Sequence, residues 1–138
     1  LNHEDYYEEE AEVYEYLEEL REKGIVEYVT SYEKFKNILR ENKVVVAVFT
    51  TPTCSACFMY KPIFYIVAEK LQNKAKWIEV DAYAAPEAAI EAGVMATPTT
   101  AVIIDGEIAN GLIGILDEET LEETLNEALK HTQQKPKP

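Results

Sequence analysis

Cys54 and Cys57 are the only two cysteines in the chain and lie three residues apart, in the run Thr51-Pro52-Thr53-Cys54-Ser55-Ala56-Cys57. That spacing suits a dithiol–disulfide pair or half of a metal site. Its setting supplies a mechanism. Lys43 to Thr50 (KVVVAVFT) is nearly all β-branched and apolar, as in a strand covered on both faces, and an apolar-striped helix follows the cysteines. A thiol at the start of a helix faces unpaired backbone N–H groups and the positive end of the helix dipole. Both favour thiolate over thiol, which makes Cys54 the expected nucleophile. With two residues between them in a first helical turn, Cys57 can close a small ring by attacking a mixed disulfide at Cys54, so the pair can carry two electrons. Ser55 and Ala56, like the preceding Pro52, are expected to tune that chemistry.

Two other readings of the pair are weaker. Small buried cysteines are ordinary core residues, but a C-x-x-C at a strand-to-helix junction inside a βαβ pattern is a redox signature. Zinc needs about four ligands, and the histidines, His3 and His131, stand at opposite ends of the chain. Neither a metal nor a cofactor beyond the cysteines themselves is expected.

The elements that must position the pair can be read along the chain. Residues 1–23 hold ten acids and two bases. Val13, Leu17 and Leu20, with Tyr6 and Tyr16, recur at helical steps, so residues 1–24 read as an added acidic amphipathic helix ended at Gly24. Ile25–Val29 reads as a strand, and Thr30 with Glu33 as a capping box for a helix to about Glu41. After the cysteines, Tyr60, Phe64, Val67 and Leu71 form one stripe of a helix, widened by Met59, Ile63 and Ile66. Ala75–Asp81 reads as a strand, Pro86–Ala92 as a short helix with proline in its first turn, and Thr99–Ile104 with Glu107–Leu112 as a hairpin about Asp105-Gly106. Asp117 caps a last helix to about Lys130, and residues 132–138 read as a flexible tail. The order from Ile25 onward is β-α-β-α-β-α-β-β-α, an α/β domain over residues 25–131.

At 138 residues the chain can build one packed core. Its 47% apolar content marks it as globular, and no apolar run exceeds six residues, far short of a bilayer crossing. A net charge of -13 would repel a phosphate backbone, so nucleic acid is an unsuitable partner. No basic, apolar leader is visible in the first residues and no cysteine occurs outside the pair, which leads to the expectation of a reducing, cytoplasmic setting.

From Ile25 to about Lys130 the chain resembles the thioredoxin family. The features in register are the C-x-x-C after an apolar strand, Pro62 in the following helix, Thr97-Pro98-Thr99 before the hairpin, and Gly106 and Gly114 around it. Glutaredoxin-like proteins match less well, because Gly111 and Gly114 are not adjacent. The resemblance implies a central mixed sheet with helices on both faces, Cys54 attacking and Cys57 resolving, and a cis Pro98 beside the cysteines. It also implies that the backbone of Thr97 pairs with an extended substrate strand, and that electrons come from a thioredoxin-reductase-like donor. Where the family usually has W-C-G-P-C, this chain has Thr53 in place of the indole and Ala56 in place of the proline. Val48 stands at the family's usual buried aspartate and Trp77 at the expected position of its lysine partner, so the floor beneath the cysteines is expected to be apolar.

The function expected from these residues is a thiol-disulfide oxidoreductase acting on protein disulfides. The other class is a binding module whose acidic helix recruits a partner. The apolar side of that helix needs cover, from the chain's own domain, a partner or a second copy.

Overall fold

The computed structural model describes residues 3–134, with side chains described from 8 to 132. A helix α1 (His3–Glu22) is followed by β1 (Glu27–Val29), α2 (Tyr32–Glu41), β2 (Val44–Thr50), α3 (Ser55–Lys70), β3 (Lys76–Asp81), α4 (Pro86–Glu91), β4 (Thr99–Ile104), β5 (Glu107–Ile113) and α5 (Glu118–Gln134). The five strands form one mixed sheet in the order β1-β3-β2-β4-β5. β1, β3 and β2 run parallel, while β4 is antiparallel to β2 and to β5. This is the expected α/β architecture.

Alternation along the central strands builds two cores. Val46, Val48, Trp77 and Val102 face one side, with Tyr60, Phe64 and Val67 of α3 and Leu121 and Leu125 of α5. Val45, Ala47, Phe49, Ile78 and Val80 face the other, with Phe35 and Ile38 of α2 and Ala88 of α4. β2 sits between them with six consecutive buried residues, which is why its run shows no polar alternation.

Local signals decide most of the ends. Asp105 (φ 53°) and Gly106 (φ 80°) both take the left-handed conformation that a two-residue hairpin turn requires, and Pro86 opens α4. Asp117 Oδ1 accepts the Thr120 N–H at 2.7 Å. The cap of α2 is Ser31, which accepts the Lys34 N–H at 3.2 Å, and not the expected Thr30. Both residues suit the role chemically, and one residue of register separates them. α5 continues through Gln134, past the expected end at Lys130; residues 135–138 of the expected tail lie outside the described residues.

The cover for the Tyr16, Leu17 and Leu20 part of α1 comes from its own chain, whereas Val13, expected on the same side, is 42% exposed and the Tyr6 side chain lies outside the described residues. Leu17 and Leu20 are buried in the same core cluster as Val46, Val48 and Tyr65, and the Tyr16 hydroxyl donates to Glu69 of α3 at 2.6 Å. Tyr14 packs against Phe58 with ring centroids 5.7 Å apart. Leu20→Ala is therefore expected to lower stability by about 2 kcal/mol or more, through lost burial and the cavity left behind. A urea midpoint equal to that of the parent would show that α1 contributes little to the core.

Candidate active site

β2 delivers the chain to the turn 51–53, and Cys54 then caps α3. Its backbone is extended (φ -96°, ψ 108°), and its sulfur accepts the Cys57 N–H at 3.1 Å. The Phe58 N–H donates to the Cys54 carbonyl at 3.2 Å, closing the first turn. A donor aimed at the sulfur and the helix dipole behind it both favour negative charge at that atom. Cys54 and Cys57 are disulfide-bonded with Cα atoms 5.2 Å apart. Cys54 is half-buried, whereas Cys57 is 1% exposed.

The Thr97–Pro98 peptide bond is cis, Pro98 is buried, and the Thr97 carbonyl oxygen lies 3.5 Å from the Cys54 sulfur. Residues more than forty positions apart in the chain thus meet at one sulfur. Pro52, Thr53 and Ser55 are exposed around it and Ala56 is half-buried. Pro62 lies within α3.

The floor differs from the expected one. Val48 is buried and apolar as expected, but its register partner on β3 is Glu79, and Trp77 pairs instead with Val46. Trp77 therefore lies two residues further from the cysteine end of the sheet, where its Nε1 donates to the Leu71 carbonyl at 3.1 Å and its ring meets Phe64 edge-on at 5.4 Å. Glu79 carries a carboxylate into this layer with no exposed surface. Its Oε1 accepts from Arg21 Nη2 at 2.9 Å and from the Tyr65 hydroxyl at 2.6 Å. Its Oε2 accepts from the Thr50 hydroxyl at 2.7 Å and pairs with Lys61 Nζ at 3.1 Å.

Burial opposes the charge on Glu79, but Lys61, Tyr65, Thr50 and Arg21 outweigh it and hold the carboxyl below its ordinary range. Burial and Glu79 together push the Tyr65 phenol far up. That proton stays in place, so the hydroxyl donates to Glu79 while accepting from Arg21 Nε at 2.7 Å. A carboxylate with three hydrogen-bond donors, an ammonium paired to it and a lowered pKa is a poor proton acceptor, so Glu79 is not suited to take the thiol proton of Cys57.

The sequence reading missed this cluster. Its signals were three charges out of place: Glu79 inside an apolar strand, Lys61 on a largely apolar helix, and Arg21 in an acidic one.

A family model described as thioredoxin matches residues 26–127. The chain belongs to the thioredoxin family. Among curated relatives, the Bacillus subtilis thioredoxin is 34% identical over 86 residues, 62% of this chain and 83% of that one. The Porphyra purpurea thioredoxin is 29% identical over 101 residues, covering 73% and 94% of the two chains. Among solved structures, a thioredoxin from Trypanosoma brucei brucei superposes with a TM-score of 0.68 at 28% identity, covering 76% of this chain and 91% of that one. A mutant thioredoxin from Halobacterium salinarum also gives 0.68, at 25% identity, covering 82% and 94%.

The protein is accordingly a thiol-disulfide oxidoreductase whose redox group is its own Cys54–Cys57 pair, without a further cofactor. Thioredoxins act on protein disulfides and are re-reduced by thioredoxin reductase. The binding-module reading is not favoured, since the chain belongs to the thioredoxin family and keeps its cysteine pair, and Leu17 and Leu20 of α1 are buried in its own core. Among the described residues no group of three or more His, Cys, Asp or Glu side chains could hold a metal ion. No described helix is long and apolar enough to cross a membrane.

Proposed function

We propose that this thioredoxin-family chain works as a reductant of protein disulfides in a reducing, cytoplasmic setting, with Cys54 attacking and Cys57 resolving. The observation that carries the assignment is the asymmetry of the pair: Cys54 is half-buried with its sulfur accepting a backbone N–H, while Cys57 is enclosed. In the reduced protein the Cys54 thiolate attacks one sulfur of a substrate disulfide, whose S–S bond breaks and releases a thiolate that takes up a proton. Cys57 then loses its proton and attacks the Cys54 sulfur, which releases the second substrate thiol and leaves the Cys54–Cys57 disulfide. Two electrons have moved to the substrate.

With Glu79 unsuited as acceptor, water or the departing thiolate takes the Cys57 proton. The Thr97 carbonyl beside the sulfur supports a role for this backbone in holding an extended substrate strand. A thioredoxin-reductase-like donor restores the dithiol. The test is insulin-type turnover driven by dithiothreitol, together with the potential of the pair measured against glutathione: turnover and a potential below that of glutathione are expected, and an inert protein overturns the reading. In the reduced protein, limiting iodoacetamide should label Cys54 before Cys57 by mass spectrometry. Preferential labelling of Cys57 would reverse the two roles.

A further inference from the structure

A cavity of about 270 Å³ opens beside Cys54, walled by Tyr14 and Arg21 of α1, Tyr28 of β1, and Phe58 and Lys61 of α3. Sites for cofactor-sized ligands start at roughly 300 Å³, so this space suits a single side chain. Among the described residues its lining includes two cations and no carboxylate. Among the described residues the acid paired with both cations is Glu79, which has no exposed surface; Asp81, 8% exposed, pairs with neither. Asp81 is also occupied, accepting from the Tyr28 hydroxyl at 3.0 Å and from the N–H groups of Tyr83 and Ala84. The Arg21 and Lys61 side chains retain 33% and 21% exposure.

The Arg21 guanidinium is held in advance of any ligand, 4.6 Å over the Tyr28 ring and tied through Nε and Nη2 to Tyr65 and Glu79. Lys61 has one acidic partner among the described residues, Glu79, and its ammonium can donate two further hydrogen bonds. Fixed donors facing a small space beside a reacting atom are the elements of a preorganised carboxylate site.

We propose that this cavity is a subsite for a carboxylate side chain lying next to the reacting cysteine of a protein disulfide substrate; the proposal rests on Cys54 being the attacking residue of a reductase. The site works against the rest of the molecule. With a net charge of -13, the long-range field disfavours an acidic substrate, so field and subsite predict opposite signs.

The experiment compares kcat/KM for reduction of matched peptide disulfides carrying one Glu or one Gln at each of the two positions before and after the reacting cysteine. The expected result is that at one position Glu is preferred by about three- to tenfold, that the preference shrinks as salt is added, and that Lys61→Gln abolishes it while Lys61→Arg keeps it. The Gln peptide serves as the internal reference within each variant. Should Lys61→Gln fail to fold, the sign and salt dependence in the parent protein decide. A Glu/Gln ratio at or below one at all four positions, rising toward one with salt, overturns the subsite and leaves the reductase standing. Reduction of neither peptide overturns the reductase reading and the subsite with it.

Discussion

Cys54→Ser is expected to lower dithiothreitol-driven disulfide turnover by about a thousandfold or more, because a hydroxyl is not ionised at neutral pH and cannot form the mixed disulfide. Cys57→Ser should behave differently. It retains the half-buried sulfur at the start of α3 and the backbone Cys57 position whose N–H faces it, so the first attack proceeds at near-parental rate. The resolving attack is then missing, and covalent adducts with substrate accumulate on Cys54 until external thiol releases them. Turnover measured beside non-reducing mass spectrometry of the trapped species separates the two variants. Parental turnover by Cys57→Ser, or adducts on Cys54→Ser, would show that the order of attack is not the one the burial of the two sulfurs indicates.

Glu79→Gln is expected to destabilise the fold by about 3–5 kcal/mol, the usual cost of removing one partner from a buried ion pair. Arg21 and Lys61 would keep their charges against a neutral amide. Donors on Tyr65 and Thr50 would compete for the one remaining carbonyl oxygen, and an anchor between α1 and the sheet would be lost.

The same residue carries a pH signature. Its carboxyl is held below the ordinary range in the folded protein, whereas an unfolded Glu titrates near about 4.3. The contribution is therefore complete above that unfolded value and is lost as pH falls through the lower, folded value. The stability gap between parent and variant should be constant at neutral pH and close in acid. Urea midpoints from pH 7 down to pH 3 give the comparison. Equal stabilities at pH 7, or a gap that does not narrow in acid, would mean that Glu79 is not the ionised hub of this cluster.

What could be read from the chain were features whose causes lie within a few residues of one another. The β-branched run ending at Thr50, the helix opening at Cys54, the left-handed pair Asp105-Gly106, Pro86 at the start of α4 and the Asp117 cap are all decided by neighbours, through backbone sterics, local hydrogen bonds and burial periodicity. The cysteine spacing belongs with them, since a first helical turn brings the two sulfurs together whatever the rest of the protein does. Even here a one-residue ambiguity remained where two residues had the same chemistry, as at Thr30 and Ser31.

Tertiary structure alone decided which strand positions stand side by side and what α1 touches. Trp77 and Glu79 point to the same face of β3, and only the register against β2 places Glu79, not Trp77, beside Val48. Arg21 and Glu79 are 58 residues apart in sequence, and Tyr65 and Lys61 come from a third element. The buried Glu79 charge is unfavourable at its own position and is stabilised by the others. Nothing within reach along the chain at any one of them specifies the pair, because a buried carboxylate is compensated through space.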